Sequence, residues 1–577
     1  MRTSPFSFAP IRNELSTYSF SLFGKDLGAA AAVALLTIPQ SIAYSLLAGL
    51  PPTAGIFSAI FATIFSAAFG SSRYLVSGPS TGVAILLQSS LAEVLLTIQN
   101  PSEAQTLYLL AQLVLLVGII QIVASFLNVS KALQFVSRPV LLGYFSGIAF
   151  AIIVNQLFYF LGISSGSKQP ILLKAAAILG QIGAWDWASG LVGIISLATY
   201  LVLKRAFKSM PYPSLLTLVV AAAAAWGIHS VSGVQVATLR DYSDIAHLVP
   251  HWELPAVHWH TLNQLFPAAV AIAFLSMLEV FSVSRHFAAV SGQPILVNQD
   301  VFGVGVGNFA LAFVSGTMPA SGSATRTALN YQLHAQTRIS ALCSGLFTAI
   351  ILFFCWSWVQ IIPLAALAAL LIATAPTLVN AREIGLAFRA TREDAWVFAL
   401  TLGSCLIFDL DVAFFIGIAI SLATYLRKSA VPHLVEYAFN SKGRLVTVNP
   451  KSRVNRKIRI IGIGGELYFA AADVFQAALQ SIAGDRSLQV IVLRLNNVYH
   501  MDGSMCLAIA ALNDLLKSEG RHLIISGLTE EVWRVLHRAG LVKQIGLDNL
   551  YFTDESNPQF STWKACARAQ ELLAQTH

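Results

Sequence analysis

Charged residues are scarce in this chain of 577 residues. Asp, Glu, Lys and Arg together make up only 11% of it, whereas hydrophobic residues make up 56% and the mean hydropathy is +0.68. Soluble globular proteins carry about 25% charged residues. The composition therefore excludes an ordinary soluble protein and predicts an integral membrane protein.

Cysteine is also rare, and its positions are scattered. The five cysteines are Cys343, Cys355, Cys405, Cys506 and Cys566. Three of them lie in apolar stretches and none has the spacing of metal ligands, so we interpret them as reduced packing residues. The first twenty residues are polar and basic, and they lack the apolar run of a cleavable signal peptide.

Long hydrophobic runs fill the first 430 residues, and several are short or broken by Gly or Pro. Lys and Arg in the loops between them fall mostly on one side, which marks that side as cytoplasmic. The sequence therefore predicts a multi-pass protein of a bacterial-type plasma (inner) membrane with both ends in the cytoplasm. The fourteen predicted segments lie near residues 27–47, 54–69, 80–98, 106–128, 139–161, 186–203, 213–230, 264–284, 301–315, 322–334, 338–357, 361–380, 394–408 and 411–427.

The composition changes after residue 430. A polar, basic stretch over 431–456 is predicted to be a linker between a membrane domain, 1–430, and a cytoplasmic domain, 457–577. Strand-like apolar runs and amphipathic helical stretches alternate in this last part, which predicts a small α/β domain. The strand-like runs are 458–469, 490–495 and 523–526, and the helical stretches lie near 471–483, 504–518, 529–539 and 560–575.

Two stretches about 240 residues apart interrupt the hydrophobic sequence, 76–82 (VSGPSTG) and 318–327 (MPASGSATRT). Backbone can break at membrane depth only where it is buried in protein or lines a polar cavity. Paired interruptions are typical of the binding site of a secondary transporter, where the N-termini of half-helices face an anion. The chain is therefore predicted to carry small anions. The hydroxyls and amides predicted to line the site belong to Ser80, Thr81, Ser321, Gly322 and Ser323.

The first span contains a proline followed by polar residues. Pro39 frees a carbonyl and tends to kink the helix, and Gln40 and Tyr44 share one helical face four residues apart. Both side chains can offer hydrogen bonds to a ligand. The alternative is a kinked packing helix in which Gln40 bonds to a neighbouring helix.

Two of the ionisable residues within predicted spans are candidates for function. Glu279 is near the middle of the eighth segment, and intramembrane acids usually face a cavity and serve ion pathways or proton relays. Arg326 is one to two turns into the short helix that begins near Ser321, where its charge would attract an anionic substrate. The alternative is a static Glu279–Arg326 ion pair that orients the broken helices.

Several motifs closely resemble the signature of the SulP family of anion transporters, and the tail after 457 resembles a STAS domain. The family often has Glu at the position of Asp300. The motifs that carry the resemblance are residues 39–55 (PQSIAYSLLAGLPPTAG), 69–73 (FGSSR), 77–80 (SGPS), Glu279, 298–300 (NQD), 305–308 (GVGN) and 319–330 (PASGSATRTALN).

The resemblance implies an α-helical polytopic fold of fourteen segments, arranged as two inverted seven-helix repeats with a core domain that slides against a gate domain, in a homodimer. It implies that the anion sits between the broken third and tenth helices. It also implies binding roles for Gln40 and Tyr44, for Glu279, and for Thr325 and Arg326.

In the tail, Asp502-Gly503-Ser504-Met505 corresponds to a phosphorylation segment of the STAS fold. Ser504 is a candidate regulatory phosphosite, although Met505 replaces the usual Gly. The alternative role of Ser504 is a helix N-cap.

Together these features predict a secondary active transporter of small oxyanions, sulfate-like or dicarboxylate, working by elevator-type alternating access with proton symport. Alternatives are a sodium-coupled bicarbonate symporter, an anion exchanger, a channel, or a sensor that signals without transport. The absence of a Walker A sequence argues against ATP-driven transport. We predict no enzyme activity, cofactor, metal or nucleic-acid partner. The predicted partners are the anion, a proton or sodium ion, membrane lipid, a second copy of the chain and a cytoplasmic protein that docks on the STAS domain.

Overall fold

The computed structural model describes the chain except for residues 1–6, 9, 16–17, 97–102, 130–132, 134–135, 164–170, 207–212, 243–249, 256–257, 430–432, 441–442, 449–456, 465–468, 499, 555 and 576–577. The chain forms two compact units, Met1–Ser421 and Leu422–His577. The long helix α18 contributes residues to both units.

The first unit is built from helices, as its hydrophobic composition predicts. Within the described residues, ten helices are long and apolar enough to cross a membrane, and two shorter apolar helices accompany them. The helices are α1 (Ile11–Leu15), α2 (Phe20–Leu47), α3 (Pro52–Phe69), α4 (Thr81–Leu96), α5 (Glu103–Phe126), α6 (Arg138–Phe160), α7 (Ile171–Gly180), α8 (Trp187–Ala206), α9 (Pro213–Ser232), α10 (Leu239–Tyr242), α11 (Trp259–Ser291), α12 (Val297–Leu311), α13 (Ala324–Gln332), α14 (Ile339–Gln360), α15 (Leu364–Thr374), α16 (Ala381–Ala390), α17 (Arg392–Ile407) and α18 (Leu410–Ser429).

The predicted hydrophobic segments each overlap one of these helices, so the helical polytopic fold is confirmed. The number of membrane segments and the inverted repeats stay predictions. Helix α2 runs unbroken through Pro39 over 28 residues, about 42 Å at 1.5 Å per residue. By contrast α4 has 16 residues and α13 only 9, because the chain before each of them is not helical.

Small residues let α12 pack closely against α3 and α5. A β-carbon added to Gly303 would lie 2.7 Å from the backbone nitrogen of Gly70, and one added to Gly305 would lie 3.0 Å from Cβ of Gln121. The glycines of the 303–307 stretch therefore serve helix packing.

The second unit is an α/β domain with a six-stranded sheet in the order β4-β3-β5-β6-β7-β8. Neighbours from β5 to β8 are parallel, and β3 is antiparallel to both of its neighbours. The strands are β3 (His433–Phe439), β4 (Leu445–Thr447), β5 (Ile458–Gly464), β6 (Val490–Asn497), β7 (His522–Leu528) and β8 (Leu550–Phe552), and the helices are α19 (Phe469–Ala483), α20 (Gly503–Ser518), α21 (Glu530–Arg538), α22 (Leu541–Ile545) and α23 (Phe560–Gln575).

Both faces of the central strands are buried, because helices cover them on either side. Ile491 and Leu493 belong to the core that includes α19–α22, whereas Val490 and Val492 pack with Ala565 of α23. This is why β6 is an almost continuous apolar run, as parallel strands usually are.

The sheet begins earlier than the predicted boundary at residue 457. Strands β3 and β4 lie inside the predicted linker, 431–456, and β3 pairs with β5 from His433 opposite Gly464 to Tyr437 opposite Ile460. The mixed polar and apolar sequence of this stretch did not predict strands, because β4 is an edge strand and both strands keep part of their surface exposed.

Candidate functional site

Two short strands bring the two predicted interruptions together. β1 (Ser77–Gly78) pairs with β2 (Ser321–Gly322) in antiparallel fashion, with Ser77 opposite Gly322 and Gly78 opposite Ser321. All four residues are buried. Helices α4 and α13 begin shortly after β1 and β2, so two helix N-termini start from one strand pair.

Serine residues cap both short helices. The Ser80 hydroxyl accepts a hydrogen bond from the Val83 amide at 3.3 Å, and the Ser323 hydroxyl accepts one from the Arg326 amide at 3.4 Å. The first amides of each helix have no acceptor within the helix and carry partial positive charge. Two helix N-termini at one strand pair are therefore a suitable place for an anion.

Arg326 is fully buried, with its guanidinium behind β1. Its Nη2 donates a hydrogen bond to the Pro79 carbonyl at 2.6 Å. Within the described part of the chain, Nε and Nη1 have no hydrogen-bond partner. One nitrogen of Arg326 thus holds the start of α4, and the other two are unpaired beside the strand pair. An anion at this place would compensate the charge.

Glu279 lies on α11 next to the Ser80 and Ser321 hydroxyls. A β-carbon on Gly82 would come within 2.8 Å of its Oε1, so the carboxylate packs directly against the start of α4. Its Oε2 has no hydrogen-bond partner among the described residues.

None of the ion pairs formed by the described residues joins Glu279 to Arg326. The static Glu–Arg pair expected as the alternative is therefore not formed. Both groups lie at the same strand pair. Glu279 is partly exposed and Arg326 is buried.

The partly exposed rim of the site comes from α2, α4 and α13. Nε2 of Gln40 donates a hydrogen bond to the Thr325 hydroxyl at 3.4 Å, and the Tyr44 hydroxyl lies beside Thr81. Thr325 is exposed, and the other three keep part of their surface accessible. Gln40 and Tyr44 are one turn apart on α2, so both predicted residues face the helix starts.

Two predicted ligands, Ser321 and Gly322, also make contacts that hold β2 against α11, and their binding roles stay predictions. A β-carbon on Gly322 would lie 3.1 Å from Cα of Val280, so glycine there permits the close approach of β2 to α11. The Ser321 hydroxyl donates a hydrogen bond to the Ser276 carbonyl at 3.3 Å.

A buried amide network fixes the chain before β2. Oδ1 of Asn308 accepts a hydrogen bond from the Ala320 amide at 2.7 Å, and its Nδ2 donates to the Ala320 carbonyl at 3.0 Å and to Gln121 at 2.8 Å. Nε2 of Gln121 in turn donates to the Ser276 hydroxyl at 2.8 Å. These bonds satisfy backbone groups that no helix satisfies, which holds β2 rigidly for its contact with β1.

Comparison of the sequence with models of protein families shows the family of this protein. Residues 23–401 match the Sulfate permease family, and residues 449–556 match the STAS domain. The chain belongs to the sulfate permease family. It is therefore a multi-pass membrane protein of an anion-transporter family, and it is not an enzyme.

Relatives along the full chain agree with this. "Sulfate transporter 4.1, chloroplastic" of Arabidopsis thaliana is 28% identical over 92% of this chain and 79% of its own length. "Putative sulfate transporter YvdB" of Bacillus subtilis is 24% identical over 92% of this chain and 97% of its own length.

Solved structures share the fold. The murine Slc26a9 anion transporter in the inward-facing state superposes with a TM-score of 0.88 at 18% identity, covering 99% of this chain and 96% of that one. The transmembrane domain of the cyanobacterial bicarbonate transporter BicA gives a TM-score of 0.59 at 18% identity, covering 70% of this chain and 98% of that one.

The supporting role of Asp300 was not predicted from the sequence. Asp300 is buried, and its carboxylate accepts hydrogen bonds from the Ser71 and Ser72 amides at 2.6 and 2.8 Å and from the Ser284 hydroxyl at 2.7 Å. It therefore fixes the loop that leads into β1 against α11 and α12. The available signal was an acid directly before the predicted segment 301–315.

In the STAS domain, Asp502 and not Ser504 is the N-cap of α20. The Asp502 side chain accepts a hydrogen bond from the Met505 amide at 3.1 Å, which corrects the alternative role given to Ser504. Ser504 lies in the first turn of α20 and is partly exposed. Its phosphorylation stays a prediction.

Proposed function

We propose that this protein is a secondary active transporter of small oxyanions, sulfate-like or dicarboxylate, driven by proton symport. The observation that carries the proposal is the buried Arg326, whose Nε and Nη1 have no partner among the described residues. Leaving a guanidinium buried and unpaired is costly. An oxyanion at the strand pair would compensate that charge and accept hydrogen bonds from the helix starts.

Glu279 supports coupling to protons. Its Oε2 has no partner among the described residues, and its carboxylate lies against the start of α4 through Gly82. A carboxyl group that takes up a proton when the anion binds would lose its negative charge beside the substrate, which favours joint binding of proton and anion.

Transport in this proposal follows an elevator-type alternating-access cycle, in which the core domain with its strand pair slides against a gate domain. The working unit is a homodimer in a bacterial-type plasma membrane with both termini in the cytoplasm. The STAS domain is available to a cytoplasmic protein partner, and phosphorylation of Ser504 is a regulatory input. These points rest on the family resemblance and on the loop charges of the sequence.

The experiment is uptake into liposomes that contain the purified full chain. Labelled sulfate, bicarbonate and succinate are each offered with a proton gradient, a sodium gradient or neither. The proposal expects accumulation of sulfate or succinate driven by an inward proton gradient. Bicarbonate uptake that requires sodium would establish the alternative symporter, and obligatory exchange without either gradient would establish an exchanger.

A further inference from the structure

A cavity of about 600 Å³ lies in the membrane unit between the start of α6 and the C-terminal half of α11. Part of its wall is formed by Leu278 and Ala324, the immediate sequence neighbours of Glu279 and Thr325. Ala324 is exposed. The cavity therefore borders the strand-pair site on the side of the partly exposed rim.

The charged residues that line this cavity are basic. Arg138 and Arg285 are part of its wall together with His286, and the described residues that line it include no Asp or Glu. Arg138 directly precedes the predicted segment 139–161 and Arg285 directly follows the predicted segment 264–284, and the loop charges predict that both of these segment ends are cytoplasmic. A concave surface with charge of one sign concentrates ions of the opposite sign.

The two arginines differ in how their charge is compensated. Arg138 forms a bidentate ion pair with Glu383, with N–O distances of 2.8 and 2.9 Å. The Arg285 guanidinium instead lies over the Phe281 ring, 4.4 Å from its centroid, and no ion pair among the described residues includes it. The ring holds the guanidinium in the cavity without neutralising it.

We propose that this cavity is a second, transient anion site on the cytoplasmic side and that Arg285 is the residue that attracts the anion there. Its ligand class is the small oxyanion that the strand-pair site accepts, so the inference rests on the proposed function. Arg285 raises the local anion concentration next to the rim. It therefore favours binding of anions that arrive from the cytoplasm and not of those that arrive from the other face of the membrane.

The first test measures the charge of the cavity without transport. Ser282 lines the cavity and is exposed, so Ser282→Cys provides a reactive thiol there. In purified full-length protein, the rate of modification of this thiol is measured with an anionic and with a cationic methanethiosulfonate. The anionic-to-cationic rate ratio should be higher than the same ratio for a model thiol in solution. Adding Arg285→Gln should lower the anionic-to-cationic rate ratio at least threefold. Adding Arg392→Gln, which removes an exposed charge outside the cavity lining, should not. An unchanged ratio in Arg285→Gln would overturn the proposal.

The second test uses transport of labelled sulfate or succinate in liposomes, with the two orientations separated. Arg285→Gln should raise the apparent KM about three- to tenfold at the cytoplasmic face only, and Arg285→Lys should restore it. An equal change at both faces, or none, would overturn the role of Arg285. Wild-type protein that carries no anion would instead refute the proposed function, while the modification ratio would still report whether the cavity attracts anions.

Discussion

Gly78 and Arg326 approach each other so closely that no side chain fits between them. A β-carbon on Gly78 would lie 2.6 Å from Nη1 of Arg326, and Gly78 has a φ of +143°. Both the space and the backbone conformation require glycine at this position. The strand β1 therefore lies directly over the buried guanidinium.

Gly78→Ala is expected to displace the Arg326 guanidinium and to strain β1, at a cost of about 1–3 kcal/mol. The apparent affinity for the transported anion should fall severalfold, as measured by the concentration dependence of uptake. The control is Gly227→Ala on α9, where nothing lies within 4 Å of the added carbon. Wild-type affinity in folded Gly78→Ala would contradict the close contact.

Glu279→Gln should abolish accumulation of anion against its gradient. The amide mimics the protonated carboxyl group but cannot release a proton, so the cycle loses its link to the pH gradient. Exchange of labelled for unlabelled anion should persist, because it requires only reorientation of the loaded carrier. In wild-type liposomes, uptake should rise as the external pH falls.

Sodium coupling predicts a different pattern for the same experiment. Wild-type uptake would then require sodium at every pH. Full proton-driven accumulation by Glu279→Gln would exclude Glu279 from coupling and leave it a structural role at the start of α4.

Asp300→Ala should destabilise the membrane unit, because the partly buried amide of Ser71 and the buried amide of Ser72 would lose their acceptor. The loss of one such bond costs about 1–3 kcal/mol, so we expect a total of at least about 2 kcal/mol and a lower Tm in a detergent unfolding assay. Asp300→Asn keeps one carbonyl acceptor and should be milder. Equal, wild-type stability of both variants would show that Asp300 does not anchor this loop.

Much of the architecture follows from the sequence because membrane helices depend on local hydrophobicity. The broken helices α4 and α13 follow in the same way, since Pro79, Pro319 and the glycines beside them cannot continue a helix. The pairing of β1 with β2 was not predictable from either stretch alone. It depends on a contact between residues about 240 positions apart.

The roles of individual site residues were harder to predict than their location. Small polar residues such as Ser80 and Ser323 suit both helix caps and ligands, and only the geometry shows that they cap. Likewise, hydrophobicity cannot reveal that Arg326 lies behind β1. Strands β3 and β4 were not predicted, because half-exposed strands have no strong apolar pattern.

Removal of the chain after Arg427 should leave a membrane domain that still inserts, because every predicted membrane segment precedes that point. Anion binding should persist, measured as protection of the purified protein against heat by the transported anion, while transport rate or assembly changes. Complete loss of insertion would show that the membrane domain needs the STAS domain to fold.

The most direct test of the central claim is anion binding by Arg326→Ala. Removal of the buried charge should lower affinity for a divalent anion at least tenfold, about 1.4 kcal/mol, in a variant that remains folded by gel filtration. Arg326→Lys should lose less, since it keeps the charge but not the geometry, and Arg392→Ala should bind like wild type. Unchanged affinity of folded Arg326→Ala would contradict the claim that the strand pair and Arg326 form the anion site.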